Sequence, residues 1–375
     1  MEEQPQVKAR TDPENFTRYL VLKKLGQDIF TGSNLVNEGT VSEDDVILSR
    51  KFVAQAITET SRTSGLPVRG SWIEHTLIAP ELGRKLAEAV KEKGVDLNPQ
   101  ELEFSLYLHD ISILFNFLHL KRDLDGDALQ LAMGVPKEIV QRGFSLPSLA
   151  RSLIKGTSPE EFFESLSPLQ RLHFLTDNIG KLTSDGKLFT LEAYYQYLDS
   201  YVANLQKRKS SPWPSVNMDI EAGQINKGLP KDFGRTVIDK TVEWLESLGV
   251  DQEEIRKTLV EQNYGPKFII VAENNDGEHP RALQQILKAK QYRVRNFVTP
   301  SQEPTREDFW QTAKSLHAGE TEVWLTEKDP LTILDNCLPS QNLKSKEPPE
   351  NIQYPNNALG VVIGSDGKLF TYFFL

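Results

Sequence analysis

Two histidines and two aspartates have the residue types and the order of a divalent-metal site. His109 and Asp110 are adjacent in the apolar segment LYLHDISI, where an ionised carboxylate is costly unless a cation or hydrogen bonds compensate it. His75 lies upstream in WIEHT and Asp177 lies downstream in LTDNIGK. Imidazole and carboxylate ligands without a thiolate suit Mn, Fe, Mg or Zn. We therefore predict that these four side chains hold a divalent metal ion.

The His-Asp pair also has a less specific interpretation. A buried aspartate that accepts hydrogen bonds from backbone N–H groups, beside a hydrogen-bonded core histidine, needs no metal. In that case the segment is purely structural, and no metal copurifies with the protein.

Helical patterns are expected to position these residues. The apolar spacing is helical from about residue 13 to 205. Three helix starts combine an Asn or Ser cap, a following proline and a Glu or Gln three residues after the cap: Asn98, Ser158 and Ser167. We expect His109 and Asp110 in the middle of the helix that begins after Asn98. We expect Asp177 in the helix that begins after Ser167.

The order of His75, His109-Asp110 and Asp177 resembles the H…HD…D signature of the HD-domain metal-dependent phosphohydrolases. The resemblance covers roughly residues 50 to 205. It implies an all-helical fold, one or two divalent ions held by these four side chains, and hydrolysis of phosphoester bonds.

The sequence departs from the family's pattern in two ways. The family commonly has HDIGK where this chain has HDISI, so a lysine that could contact phosphate is missing. The paired histidines that complete a binuclear site in many relatives are absent between residues 120 and 170. The absent histidines favour a single tightly held metal, and both departures are also typical of a domain whose catalysis has decayed.

Residues around Asp177 are candidates for substrate binding and catalysis. In a continuous helix, His173 and Lys181 lie four residues before and after Asp177 and share its face. We interpret Lys181 as a phosphate contact and His173 as a proton donor to the leaving group, although a solvated lysine and a surface histidine explain the pattern equally well. Asp110 is expected to be the principal anionic metal ligand.

These residues lead to a functional hypothesis with one alternative. The chain is predicted to be a metal-dependent phosphoric ester hydrolase that acts on a small phosphorylated metabolite or nucleotide. The alternative is a catalytically degenerate HD domain that serves as a ligand-sensing or scaffolding module.

The charge balance and the single cysteine limit the other functions. Lys and Arg total 43 against 53 Asp and Glu, and the net charge of −10 disfavours bulk nucleic-acid binding. The first ten residues contain no apolar leader, and the longest apolar stretch is interrupted by polar residues. We therefore expect a soluble cytoplasmic protein without a membrane segment. Cys337 is the only cysteine, which excludes an intrachain disulfide.

The hydrophobic period changes in the second half of the chain. Residues 206–234 are rich in proline and glycine and are the predicted linker between a helical HD-type domain, 1–205, and an α/β accessory domain, 235–375. Short strands alternating with helices predict a parallel sheet, with strands at 267–272, 292–297 and 321–326. A β-hairpin is predicted at 359–375. The fold class is thus multidomain α+β, with a separate core expected in each half.

Overall fold

The computed structural model describes most of the 375-residue chain. The described residues are 13–65, 67–111, 158–182, 187–188, 190–196, 233–274, 279–337, 358–363 and 369–373. These residues are mostly helical and include one five-stranded sheet. None of the helices in these ranges has the length and apolar character needed to cross a membrane.

The first half of the described chain is helical, as predicted. Its helices are α1 (Pro13–Phe30), α2 (Asn34–Glu38), α3 (Glu43–Ser64), α4 (Gly70–Glu92), α5 (Pro99–Leu108), α6 (Pro159–Ser165) and α7 (Pro168–Ile179). The predicted caps are confirmed. The Asn98 side chain accepts from the N–H of Gln100, and Ser158 and Ser167 each form a capping box with proline at the helix start. Local side-chain chemistry therefore sets where α5, α6 and α7 begin.

The carboxyl end of α5 differs from the prediction. The helix ends at Leu108, so His109 and Asp110 lie in a turn and not in mid-helix. The His109 ring Nδ1 lies 2.7 Å from the Leu106 carbonyl oxygen, which a continuing helix would engage with a backbone N–H. Successive side chains of a helix point in different directions, whereas this turn brings both side chains to one point. The expected continuation of the helix beyond residue 111 lies outside the described residues.

The described residues of the second half form five further helices and the strands. The helices are α8 (Phe233–Ser247), α9 (Gln252–Glu261), α10 (His279–Ala289), α11 (Arg306–Ser315) and α12 (Pro330–Cys337). The strands are β1 (Lys267–Glu273), β2 (Arg293–Val298), β3 (Glu320–Thr326), β4 (Ala358–Ile363) and β5 (Leu369–Phe373). The order in the sheet is β2-β3-β1-β4-β5. Strands β2, β3, β1 and β4 are parallel, and β5 is antiparallel to β4, which confirms the predicted parallel strands and the hairpin.

Strand β1 forms the centre of the sheet and is buried on both faces, as parallel strands generally are. Phe268 and Ile270 belong to the apolar cluster that also contains Phe52 of α3 and Trp72 of α4. Residues of the opposite face belong to a second cluster with side chains of α11 and α12, among them Ile269, Val271, Phe309 and Ile333. The sheet therefore lies between helices of the first half on one face and α11 and α12 on the other.

Among the described residues, two apolar clusters combine side chains of both halves and a third belongs to the second half alone, so the two halves do not have fully separate cores. One cluster joins Phe52 and Trp72 to β1, and another joins Leu82 of α4 to Leu245 of α8. Burial of apolar surface does not depend on which half of the sequence supplies it, and periodicity does not reveal which faces meet. Most of the predicted linker lies outside the described residues, and α8 begins at Phe233. The domain boundaries stay a prediction.

Candidate metal centre

The four predicted metal ligands converge on one point. One donor atom from each of His75, His109, Asp110 and Asp177 lies within 4.8 Å of the others. His75 comes from the second turn of α4, His109 and Asp110 from the turn after α5, and Asp177 from the last turn of α7. This convergence is the outcome that the residue types and their order predicted.

The separations between donor atoms suit a common cation. The Nε2 atoms of His75 and His109 are 3.1 Å apart, and Asp177 Oδ1 lies 3.3 Å from the first and 3.1 Å from the second. Asp110 Oδ2 lies 3.6 Å from both imidazole nitrogens. Ligand atoms at about 2 Å from one ion are separated by roughly 3 to 3.5 Å. The cluster can hold a metal ion.

Backbone carbonyls orient both imidazole rings. His75 Nδ1 lies 3.0 Å from the Gly180 carbonyl oxygen, and His109 Nδ1 lies 2.7 Å from that of Leu106. A carbonyl oxygen only accepts, so each Nδ1 carries the hydrogen and each Nε2 faces the cluster. Hydrogen bonds of this kind fix the tautomer of metal-binding histidines. The arrangement therefore presents two nitrogen ligands to the same point.

Without a cation, a proton on His109 compensates the carboxylates. Burial alone would lower the pKa of His109, but the nearby Asp110 and Asp177 carboxylates raise it to about 9. Burial likewise opposes ionisation of Asp177, yet His109, His75 and the charge of Lys181 hold the pKa of its carboxyl well below the usual range. The cluster thus combines buried negative charge with a nitrogen ligand, His109, that releases a proton when a metal binds.

Asp110 is the most exposed of the four side chains. Its side chain is 27% exposed, whereas those of His75, His109 and Asp177 are 5%, 3% and 12% exposed. The described part of the site is therefore open on the side of Asp110.

His173 packs directly against the cluster but is not part of it. Its ring meets that of His109 edge to face, with 5.4 Å between the ring centroids. Burial, together with the charge of His109, lowers the pKa of His173 to about 3, so the ring is neutral at pH 7. A neutral ring is a poor general acid, so its protonation state does not favour the predicted proton-donor role. Its packing instead holds the His109 ring in place.

Lys181 lies near the cluster, although it does not share a helical face with Asp177 as expected. Helix α7 ends at Ile179, so Lys181 does not continue the helical face that carries His173 and Asp177. The half-buried Lys181 makes no ion pair within the part of the chain that is described, and its charge acts on Asp177.

Gly180 follows the last residue of α7 at a close approach to α4, and its role was not predicted. A Cβ atom on Gly180 would lie 2.6 Å from Ala79 Cα, so only glycine allows this close approach between α7 and α4. Carbonyls at the end of a helix lack intrahelical partners, and that of Gly180 accepts from His75. The glycine in the motif LTDNIGK was the available sequence signal.

A second feature that sequence analysis missed is a buried ion pair beside His75. Glu74 Oε1 lies 3.1 Å from Arg293 Nη2, and the two side chains are 3% and 19% exposed. Burial raises the pKa of Glu74 to about 7, although Arg293 acts against that shift. The apolar surroundings of Glu74 in WIEHT were a signal for a partner, but not for which one.

Both departures from the HD-family pattern concern residues that the structure does not describe, or describes only in part. Ser112 and Ile113 lie outside the described residues, and so do residues 120–157 of the segment that lacks the paired histidines. The single-metal prediction therefore stays a prediction.

Comparison with known proteins finds no relative of this chain. No family model matches the chain, and neither a curated protein nor a solved structure resembles it significantly.

Proposed function

We propose that this protein is a metal-dependent phosphoric ester hydrolase of the HD type that acts on a small phosphorylated metabolite or nucleotide. The supporting observation is the convergence of two imidazole nitrogens and two carboxylates, from three separate parts of the chain, within 4.8 Å of one another. Such a donor set suits Mn, Fe, Mg or Zn.

The chain's own residues would divide the work as follows. His75, His109, Asp110 and Asp177 would hold the metal. A divalent ion in such a site polarises a phosphoryl oxygen and lowers the pKa of a water molecule. Lys181 would bind an oxygen of the phosphoryl group, because it lies close enough to act on Asp177 and has no ion-pair partner among the described residues.

The position of Asp110 suggests where the substrate enters. Its side chain is the most exposed of the four, so a phosphoester would approach over this carboxylate. The rings of His75 and His173 are buried, which limits the access of water to the cluster on their side. Burial of three of the four ligands favours a small substrate over a polymer.

A catalytically degenerate domain that senses ligands or serves as a scaffold is the second candidate. It is favoured by the replacement of the family's HDIGK by HDISI and by the neutral state of His173. Under this proposal the metal and Lys181 bind a phosphorylated ligand without turnover.

Metal analysis combined with a phosphatase assay tests these candidates. The purified chain is loaded with Mn²⁺, Zn²⁺ or Fe²⁺ and assayed on aryl phosphomonoesters, phosphodiesters and nucleotides. Asp177→Asn should abolish both metal binding and turnover, and Asp110→Ala should do the same. Asp96→Asn, an exposed aspartate between α4 and α5, is the matched control and should change neither.

Each result of this experiment selects one interpretation. Bound metal with turnover supports the hydrolase. Bound metal without turnover on any substrate favours the sensing module. A wild-type chain that binds no metal supports the purely structural interpretation of the His-Asp pair.

A further inference from the structure

We propose that Arg293 is a positioning residue for His75, and that the sheet controls metal affinity through the ion pair of Arg293 with Glu74. This inference rests on the proposed metal site and assigns a role to the second half of the chain. The inference is based on contacts with the amino-terminal end of α4. These contacts come from residues 290–292, which connect α10 to β2, and from Arg293, the first residue of β2.

The first contacts in this region are backbone hydrogen bonds. The N-cap residue Arg69 gives α4 no side-chain cap, so the first N–H groups of the helix need other acceptors. The N–H of Gly70 donates to the Lys290 carbonyl at 2.9 Å, and the Tyr292 hydroxyl donates to the Val68 carbonyl at 2.8 Å. Lys290 and Tyr292 thus hold the residues at the start of α4.

The backbone at Gln291 is shaped for this contact. Gln291 has a φ of 60°, a left-handed conformation that is uncommon for residues other than glycine. Its side chain accepts a hydrogen bond from Ser71, the second residue of α4. A Cβ on Gly70 would lie 3.1 Å from the Gln291 carbonyl oxygen, so the two segments meet at close range.

The ion pair is the contact nearest to the metal cluster. Glu74 immediately precedes His75, and its carboxylate is buried against Arg293 at 3.1 Å. Arg293 Nη2 also donates to the Ala318 carbonyl at 3.0 Å. Gly319 leaves the space that the guanidinium occupies, because a Cβ there would lie 1.3 Å from Nη2. Arg293 is therefore held from the sheet side and in turn holds Glu74.

The consequence for His75 follows from its place in α4. His75 lies one residue after Glu74, and the first turns of a helix are the part that frays when it is not held. If Arg293 is lost, Glu74 becomes a buried carboxylate without its charge partner and is no longer linked through the guanidinium to the Ala318 carbonyl, so the start of α4 is held less firmly. His75 would move with this turn and lose its alignment with Gly180 and His109.

The experiment compares two variants that each break a buried ion pair of α4. Arg293→Gln removes the contact beside His75. Arg84→Gln is the matched control, because Arg84 pairs with the buried Glu103 at 2.8 Å but lies more than two turns further along the helix. Co²⁺ affinity and the Co²⁺ absorption spectrum are measured at a temperature at which circular dichroism shows both variants folded. We expect Arg293→Gln to lose about tenfold or more in affinity and to change the spectrum, whereas Arg84→Gln retains both.

A second measurement follows hydrogen exchange of the His75 ring in the metal-free protein. In ¹⁵N-histidine-labelled protein, the Nδ1–H of His75 should give a slowly exchanging signal because it donates to Gly180. We expect this signal to exchange fast or disappear in Arg293→Gln and to persist in Arg84→Gln. If the wild-type chain binds no Co²⁺, the proposed function fails, but this signal still decides whether Arg293 positions His75.

Double substitution tests whether Arg293 acts through Glu74. Once Glu74→Gln has removed the buried charge, adding Arg293→Gln should cause little further loss of Co²⁺ affinity. It should also cause little further loss of protection of the His75 Nδ1–H against exchange. Equal losses in both backgrounds would show that Arg293 does not act through Glu74. A folded Arg293→Gln protein with wild-type affinity and an unchanged His75 signal would overturn the proposal. If this variant fails to fold, Glu74→Gln, which breaks the same ion pair, takes its place in both measurements, and wild-type affinity with an unchanged His75 signal would then overturn the proposal.

Discussion

The Nε2 atoms of His75 and His109 face each other at 3.1 Å, while the Nδ1 of each ring is directed at a backbone carbonyl. If both rings were neutral, two lone pairs would point at each other in a buried site, which is unfavourable. A proton on His109, shared with the Asp177 carboxylate 3.1 Å away, resolves this conflict in the metal-free chain. A divalent cation would resolve it more completely, because it satisfies both rings and both carboxylates at once.

This relationship predicts that metal affinity rises with pH. Burial opposes the charged form of His109, but Asp110 and Asp177 raise its pKa to about 9, so a bound proton must leave before the nitrogen can bind metal. Between about pH 6 and pH 9 we expect the apparent affinity to increase up to about tenfold per pH unit, as displacement of one proton requires. Calorimetric titration in buffers of different ionisation enthalpy should show about one proton released per metal at pH 7. An affinity independent of pH would contradict the assigned protonation of His109.

Gly180→Ala tests the junction between α7 and α4. The added Cβ would lie 2.6 Å from Ala79 Cα, so one of the two helices must move, and the carbonyl that orients His75 moves with it. We expect a loss of stability of about 1 to 3 kcal/mol and weaker metal binding. Gly32→Ala is the control, because no atom lies within 4 Å of its Cβ position. Urea unfolding with and without metal measures both effects, and wild-type behaviour of Gly180→Ala would show that the close approach is not required.

Lys181→Ala tests the phosphate contact. Loss of a charged hydrogen bond to the substrate costs about 1.5 to 3 kcal/mol, which corresponds to a decrease of about tenfold or more in kcat/KM. Metal affinity should change little, since Lys181 lies outside the four donor residues. Lys51→Ala, at an exposed position of α3, is the control and should leave the kinetics unchanged. Weaker metal binding without a kinetic change would mean that Lys181 supports Asp177 and does not bind the substrate.

Truncation tests whether the two halves are independent. A fragment of residues 1–205 would lose β1 and α8, and side chains such as Phe52, Trp72 and Leu82 would lose part of their apolar contacts. We expect this fragment to lack a cooperative thermal transition, to bind a hydrophobic dye and to bind metal weakly. A fragment that melts cooperatively and binds metal as tightly as the full chain would show that the first half folds by itself.

The sequence by itself determined the features that depend on local chemistry. The caps at Asn98, Ser158 and Ser167 and the prolines after them specify helix starts through side chains only a few residues away. The parallel strands and the closing hairpin follow from apolar runs and turn residues in the same way. The choice of the four ligands also came from the sequence, since few residue types bind a divalent ion and these four stand in an order that resembles a known signature.

Only the tertiary structure decided where α5 and α7 end, because the residues at both ends contact other helices. The His109 ring lies against His75 of α4 and Asp177 of α7, and Gly180 lies against Ala79 of α4. The pairing of Glu74 with Arg293 joins residues 219 positions apart. The two apolar clusters that combine side chains of both halves likewise join residues far apart in the sequence. Periodicity shows that a face is apolar, but which face covers it depends on shape and burial across the whole chain, and the free energy of that burial does not depend on sequence distance.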